Sequence, residues 1–183
     1  DTGTGLPVTP NGGDITVTGN SAGGVGVLLG NGGAFAIDSG GGDIDIYGYS
    51  ATAEGLVFNG GFFDGISSGG GDIRLEGIGA TAGTVLIGSG YGSNSIDSAG
   101  GLITIIGNAS GADAVGVLVS SLAVVGGAGD VSINGFSPAG TGILFENGAG
   151  VSTTTGAIGL YGTGADFGLD ISDGALDTDS GDI

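Results

Sequence analysis

The sequence predicts an all-β fold, a parallel three-sided β-helix or β-solenoid with about six coils of 25–30 residues. The first observation is the motif Gly-Gly-Asp-Ile, which occupies residues 12–15, 41–44 and 70–73 and recurs in looser form further along. The second is its spacing, since its apolar position advances by 29, 29, 30, 28, 27 and 25 residues. A repeat this short buries no core alone, so each unit must stack on its neighbours. The apolar positions are Ile15, Ile44, Ile73, Ile103, Val131, Ile158 and Ile183.

Composition is the third observation. The 183 residues include 48 Gly, while 39% are hydrophobic and 11% are charged, which is not the mixture of an ordinary globular domain. Collagen is excluded because Gly does not recur at every third position. Val, Ile, Leu and Phe recur at regular places, which argues against disorder. We therefore expect residues 1–183 to form a single array of repeats.

Each unit opens on a short strand, because its apolar residues alternate with a period of two. Two residues after the second apolar position comes a Gly in every unit, which predicts a positive φ or a close backbone approach at a corner. The apolar pairs are Ile15/Val17, Ile44/Ile46, Ile73/Leu75, Ile103/Ile105, Val131/Ile133 and Ile158/Leu160. The glycines are Gly19, Gly48, Gly77, Gly107, Gly135 and Gly162.

A second alternation predicts a second strand, with Phe58 and Phe145 pointing inward. Turn pairs suited to left-handed backbone follow it in four units. The alternating pairs are Val27/Leu29, Leu56/Phe58, Val85/Ile87, Val117/Val119, Ile143/Phe145 and Leu169/Ile171. The turn pairs are Asn31-Gly32, Asn59-Gly60, Asn147-Gly148 and Asp173-Gly174.

A third, shorter apolar mark lies before each recurrence of the motif and predicts a third strand. The same spacing places Val8 on a third strand and Ile183 on a first strand, so we expect both ends to be cut mid-coil and the chain to belong to a longer array or fibre. The marks are Ile37, Ile66, Ile96, Val124, Val151 and Leu176.

The charge balance excludes several classes of partner. Nineteen acids face one base, Arg74, and the formal net charge of −18 should repel nucleic-acid phosphates and anionic lipid. No apolar run approaches the roughly 20 residues of a membrane-spanning helix, so no membrane insertion is expected. With no Cys, the redox compartment cannot be inferred from the sequence. We expect Arg74 to point outward and to pair with a neighbouring carboxylate.

Three stretches of the first coil carry a resemblance to a known family. They are Gly-Gly-Asp-Ile-Thr-Val-Thr-Gly at 12–19, Gly-Val-Gly-Val-Leu-Leu at 24–29 and Ile-Asp-Ser-Gly at 37–40. This pattern resembles the repeats of filamentous haemagglutinin-like exoproteins, which Gram-negative bacteria export by two-partner secretion. The resemblance extends from Val8 to Ile183 and implies a right-handed parallel β-helix. It also implies a secreted, extracellular protein at the cell surface of a Gram-negative bacterium.

The Asp of the motif is the candidate site. Asp14, Asp43 and Asp72 would stack outward carboxylates about 4.8 Å apart, and Ca²⁺ takes oxygen ligands of this kind. The alternative is that each Asp caps a turn by accepting hydrogen bonds from nearby backbone N–H groups. In water, a pair of carboxylates at this distance repels by only about 0.8 kcal/mol. A metal is therefore not required, and no cofactor is expected apart from this candidate Ca²⁺.

Catalysis is the other possibility, because many parallel β-helix proteins act on polysaccharides. A lyase needs a base beside a cation site, and Arg74 is the one such residue in the chain. A glycoside hydrolase needs two carboxylates roughly 5 to 10 Å apart. Here the acids recur at equivalent positions of successive coils, which favours architecture over one reactive cluster. We expect no enzymatic activity.

The sequence thus predicts an extracellular structural or adhesive solenoid, a cell-surface fibre or adhesin stalk. Its expected partners are further repeats of the same chain, other copies of itself, and glycans or a host or neighbouring cell surface. The alternative is a carbohydrate-active β-helix, either a polysaccharide hydrolase or a glycan-binding module. Exposed aromatic residues are the candidates for contact with glycans or with a neighbouring filament. These are Tyr47, Tyr49, Phe62, Phe63 and Tyr161.

Overall fold

The computed structural model describes residues 8–30, 35–61, 65–89 and 94–183. In these residues 18 strands form three six-stranded parallel sheets, and no α-helix occurs among them. Each sheet takes one strand from each of six successive repeats. The predicted all-β, three-sided parallel solenoid is therefore confirmed, whereas its right-handedness stays a prediction.

The strands follow one another in the same order in every repeat. In the first three repeats they are β1 (Ile15–Ser21), β2 (Val27–Leu29), β3 (Ala36–Asp38), β4 (Ile44–Ser50), β5 (Leu56–Asn59), β6 (Gly65–Ser67), β7 (Ile73–Gly79), β8 (Ala82–Ile87) and β9 (Ser95–Asp97). In the last three they are β10 (Ile103–Ala109), β11 (Val115–Ser120), β12 (Ala123–Gly127), β13 (Val131–Ser137), β14 (Thr141–Glu146), β15 (Ala149–Thr153), β16 (Ile158–Gly164), β17 (Phe167–Ile171) and β18 (Gly174–Thr178). The first sheet has the order β1-β4-β7-β10-β13-β16. The second has the order β2-β5-β8-β11-β14-β17, and the third has the order β3-β6-β9-β12-β15-β18.

The core is a set of aliphatic ladders that run along the solenoid axis. In the first sheet, Ile15 pairs with Ile44 and the same column continues through every repeat to Ile158, as the repeat spacing predicted. All of its members are buried, while Thr16 beside Ile15 is exposed. Full burial of such a side chain contributes about 1.5 to 3 kcal/mol, so this ladder is a main source of stability.

The predicted Gly column is in register throughout the first sheet, from Gly19 to Gly162. It shows the close backbone approach, and none of its members has a positive φ. A Cβ on any of them would overlap a carbonyl oxygen of the second sheet, and that oxygen belongs to another Gly. These opposing glycines form a second column that the sequence analysis did not identify. They are Gly26, Gly55, Gly83, Gly116, Gly142 and Gly168.

The two Gly columns create a thin edge where the backbones of the first and second sheets meet. The sequence pattern predicts a corner at the Gly of the first sheet. Instead the strands continue for two further residues, so β1 ends at Ser21 and not near Gly19. Ser50, two residues after Gly48, is buried at this edge and donates a hydrogen bond to the Gly24 carbonyl at 2.6 Å. The backbones of the two sheets therefore converge at this edge and leave no room for side chains at the Gly positions.

In the second sheet, one predicted pair of inward residues, Val85/Ile87, is wrong. Phe58 and Phe145 are fully buried as expected, but the residue in register with Phe58 is Leu86, not Ile87. Thr84 and Leu86 face inward, and Val85 pairs with the outward Val57. The connection from β7 to β8 is only two residues long, and the run from 85 to 87 contains no polar residue to mark the phase. Residues 85–87 therefore show no alternation of apolar and polar side chains from which the inward positions could be predicted.

The third sheet follows the prediction at every repeat, with Ile37, Ile66 and Ile96 in a buried ladder that ends at the half-buried Leu176. Val8 forms a parallel bridge to Ile37, which places it on a third strand as expected. The Ile158 N–H donates to the Asp182 carbonyl at 2.9 Å, the bond that other first strands make to the following coil. The coil pairing thus extends to the last residues of the chain.

The turn pairs after the second strand behave differently from one another. Asn147 and Gly148 have φ of 54° and 73°, so left-handed backbone is confirmed there. The same prediction is wrong for Asn59-Gly60 and Asp173-Gly174, none of which has a positive φ. Asn59 ends β5 and Gly174 starts β18, so strand pairing decides their conformation. Asn31-Gly32 lies outside the described residues.

Replacing Phe58 by Ala should lower the free energy of unfolding by about 3 to 5 kcal/mol, because a fully buried ring leaves a cavity between two coils. The matched control is Leu28→Ala, since Leu28 faces outward on the same sheet and is 48% exposed. Reversible denaturant unfolding measures both. Equal losses for the two variants would contradict the inward placement of Phe58.

Gly107→Ala should destabilise the solenoid by about 1 to 3 kcal/mol or more, because the added methyl group meets the Gly116 carbonyl of the second sheet. Gly23→Ala is the control, since nothing lies within 4 Å of a Cβ there. Thermal unfolding of both variants tests the thin edge. A Gly107→Ala protein as stable as the Gly23→Ala protein would refute the close approach.

Candidate functional site

The Gly-Gly-Asp corner, which joins the third strand of one coil to the first strand of the next, explains the motif residue by residue. The turn begins with two residues of positive φ, such as Gly40 at 68° and Gly41 at 120°. The next residue, Gly42, has the Gly13 backbone where a Cβ would stand, and Gly71 repeats this contact against Gly42. The first Gly of the motif therefore serves conformation and the second serves stacking.

The Asp residues of the corner bind the backbone of the following coil. The Asp14 carboxylate accepts the Asp43 N–H at 3.0 Å, and the Asp43 carboxylate accepts the Asp72 N–H at 2.9 Å. The Asp72 carboxylate accepts the Leu102 N–H at 2.8 Å. In a later coil, the Asp130 carboxylate accepts the Ala157 N–H at 2.7 Å. Each carboxylate thus connects two coils while remaining exposed to solvent.

This geometry favours the capping alternative for the Asp column. One oxygen of each predicted Ca²⁺ ligand, Asp14, Asp43 and Asp72, already accepts a hydrogen bond from an amide. Among the described residues there is no group of three or more acids arranged to hold a metal ion. Calcium binding at this column stays a prediction. In the structure, each Asp of the column makes a charge-assisted hydrogen bond to a backbone N–H of the following coil.

A buried hydroxyl column, which the sequence analysis did not identify, closes the same corner from inside. Ser39, Ser68 and Ser98 are fully buried and each donates to the carbonyl three residues further on. Thr153, which is buried, and Thr178, which is half-buried, donate the same bond in later coils, at 2.6 and 2.9 Å. The sequence carried a signal for them, a Ser or Thr two residues after the third-strand apolar position in five of the six coils. In the fourth coil Gly126 takes this place, and the register shifts between Val125 and Gly127.

Arg74 lies on the outer face of the first sheet and pairs with carboxylates, as predicted. Its guanidinium contacts Asp45 at 3.3 Å and also binds Glu76 on its own strand. Partial burial lowers the pKa of Arg74, but the hydrogen bonds and charges of Glu76 and Asp45 outweigh that effect and raise it overall. Two acids of this face are therefore held by a cation.

The aromatic face is the outer surface of the first sheet formed by two neighbouring columns. Tyr49 is 40% exposed, Phe136 is 45% exposed and Tyr161 is 65% exposed, while Tyr47 is half-buried. One column contains Thr18, Tyr47, Glu76, Ile106, Asn134 and Tyr161. The other contains Asn20, Tyr49, Ile78, Asn108, Phe136 and Thr163.

The predicted glycan contacts at Tyr47, Tyr49 and Tyr161 are thus brought onto one surface. Phe136 joins them and was not among the predicted contacts, although it follows Gly135 as Tyr49 follows Gly48. Phe62 and Phe63 lie outside the described residues. A shallow depression beside Tyr49, lined by Asn20, Ser21, Ala22 and Ala51, opens at the thin edge.

The last coil presents core-type side chains to solvent. Leu169 and Ile171 of β17 are in register with the inward Ile143 and Phe145 of β14, yet both are exposed, as is Phe167 at the start of the strand. Their equivalents one coil earlier, Ile143 and Phe145, are fully buried. The difference arises because no following strand of the described residues covers β17.

Comparisons with protein-family models, with curated proteins and with solved structures each find no match for this chain. The resemblance to filamentous haemagglutinin-like exoproteins accordingly stays a prediction, while the parallel β-helix repeat fold that it implied is present. No helix of sufficient length and apolarity to cross a membrane occurs in the described part of the chain.

Asp43→Ala should lower the free energy of unfolding by about 1 to 2 kcal/mol, because the Asp72 N–H loses a charged acceptor. Asp43→Asn keeps an acceptor oxygen and should lose less. Thermal unfolding of these variants and of the wild-type chain, with and without Ca²⁺, separates the two interpretations. Capping predicts that Ca²⁺ changes the unfolding temperature of the wild-type chain and of Asp43→Asn by the same amount, through general screening of the acids. A calcium-dependent rise in the wild-type unfolding temperature that Asp43→Asn abolishes would instead establish metal binding.

Proposed function

We propose that this chain is a structural and adhesive β-solenoid without catalytic activity, a segment of a fibre or adhesin stalk on the surface of a Gram-negative bacterium. The observation that carries the proposal is the equivalence of the coils. The same positions serve the same purposes from repeat to repeat, as the Asp14, Asp43 and Asp72 hydrogen bonds illustrate. An enzyme needs one coil that differs from the others, and repetition supports a building material instead.

The geometry suits a rod. Parallel coils stack at about 4.8 Å, so six strands per sheet span roughly 25 Å along the axis, and every added coil lengthens the rod without changing its cross-section. The surface supports the role as well, because a net charge of −18 keeps neighbouring rods apart. The resemblance described above supports the extracellular location.

Assembly along the axis is the expected partner interaction. The exposed Phe167, Leu169 and Ile171 and the unpaired edge of β17 fit a further coil in the same register. That coil would come from further repeats of the same chain or from another copy. Lateral association is opposed by the acids on the flanks, unless Ca²⁺ screens or bridges them.

The alternative, a carbohydrate-active β-helix, has support only in its glycan-binding form. The aromatic face provides a surface for sugars. By contrast, Asp45 and Glu76, the acids next to Tyr47, are both bound to Arg74. We therefore propose no hydrolase activity and treat glycan recognition as part of the adhesive role.

Electron microscopy and sedimentation of the purified chain test the proposal. We expect elongated particles that join end to end, and the double variant Phe167→Asp/Ile171→Asp should return them to single short rods, since it charges the exposed coil end. Leu28→Asp is the control because it charges an exposed position on the flank.

Rounded particles, or rods that never join under any condition, would contradict the assembly role. Joining that is equally impaired by Leu28→Asp would show that the contact lies on the flank and not at the coil end.

A further inference from the structure

The aromatic face is long and narrow. Its two columns are two residues apart along each strand, a separation of about 7 Å. Along the axis, Tyr49 and Phe136 are three coils apart, about 14 Å, and Tyr47 and Tyr161 are four coils apart, about 19 Å. A strip of these proportions fits a polymer that lies along the solenoid axis better than it fits a small molecule, which would need an enclosing pocket.

The strip is aromatic and polar, and it carries no unpaired charge. The tyrosines offer ring faces to the C–H surface of a sugar and hydroxyl groups to its edge. Asn20, Asn108 and Thr163, in the Tyr49 column, add polar groups suited to sugar hydroxyls. In the two columns, only Glu76 is charged, and it is bound to Arg74.

The net charge of the chain limits the charge that a ligand of this face can carry. A surface with 19 acids and one base repels an anionic polysaccharide, and the strip itself holds no cation to attract one. Glu76 is the one charge in the two columns, and its ion pair with Arg74 leaves no free counter-charge there for a cationic polymer. What complements the strip is a ligand with many hydroxyl groups and no net charge.

We propose that the aromatic face binds an extended, uncharged polysaccharide that runs along the solenoid axis across the second to sixth coils. This inference rests on the adhesive role proposed above and identifies its ligand class. Tyr49, Phe136 and Tyr161 are the stacking residues, and the shallow depression beside Tyr49 receives one sugar unit at the end of the strip.

Affinity electrophoresis in native gels tests the proposal, with hydroxyethylcellulose, glucomannan and dextran as the neutral probes and polygalacturonate as the anionic probe. We expect at least one neutral polymer to retard the chain, and polygalacturonate not to do so. Tyr49→Ala, Phe136→Ala and Tyr161→Ala should each weaken binding by about three- to tenfold. Tyr161→Phe keeps the ring and should retain most of the affinity, and Leu28→Ala, an exposed apolar change on the second sheet, is the control.

Tyrosine fluorescence gives a second readout, because the chain has no Trp and three of its four Tyr lie on this face. A retarding polymer should change the emission, and its disaccharide unit should not compete, since it is too short to span the aromatic anchors.

No retardation by any of the three neutral polymers would overturn the inference, as would tighter binding of polygalacturonate or undiminished binding by all three Ala variants. Retardation that Leu28→Ala weakens equally would also overturn it. Elongated particles in the microscope without polysaccharide binding would remove this inference and leave the structural role standing. Rounded particles would remove both.

Discussion

The direct approach of backbone to backbone is the constraint on which the structure depends. It occurs twice in each coil, once at the thin edge and once at the Gly-Gly-Asp corner. At both places a Cβ would occupy the position of a neighbouring carbonyl oxygen, as at Gly107 and Gly71. Glycine weakens regular structure by roughly 0.5 to 1 kcal/mol relative to Ala, but here any other residue would push two layers apart. The high Gly content is thus a packing requirement.

The remaining residues of the repeat act once that spacing is set. Aliphatic side chains fill the interior in ladders, buried hydroxyls such as Ser39 close the corner, and Asp43 connects one coil to the next on the outside. Each of these contacts involves a neighbouring coil or turn, so the stability of a coil depends on the coils beside it. The structure is cooperative along one axis and repetitive by necessity.

The sequence predicted this architecture well because its inward positions alternate with polar ones. The prediction failed where that contrast was absent. Around Leu86, three consecutive apolar residues gave no indication of which of them faces inward. It also failed at Gly116, because one more Gly among 48 carries no visible signal of a second column. Phe136 was not predicted as a surface contact, although its position after Gly135 matches that of Tyr49 after Gly48. Whether the Asp column caps or binds metal depended on where the amides lie, which only coordinates reveal.

Arg74 has a consequence for the lifetime of such a rod among proteases. It is the one residue in the chain after which a trypsin-like enzyme can cut. The bond to Leu75 lies inside β7, which pairs on both sides with β4 and β10, and Leu75 is fully buried. A protease must have an extended, accessible strand, so cleavage has to wait until the third coil opens. Local opening of the third coil therefore decides how long the array resists this class of enzyme.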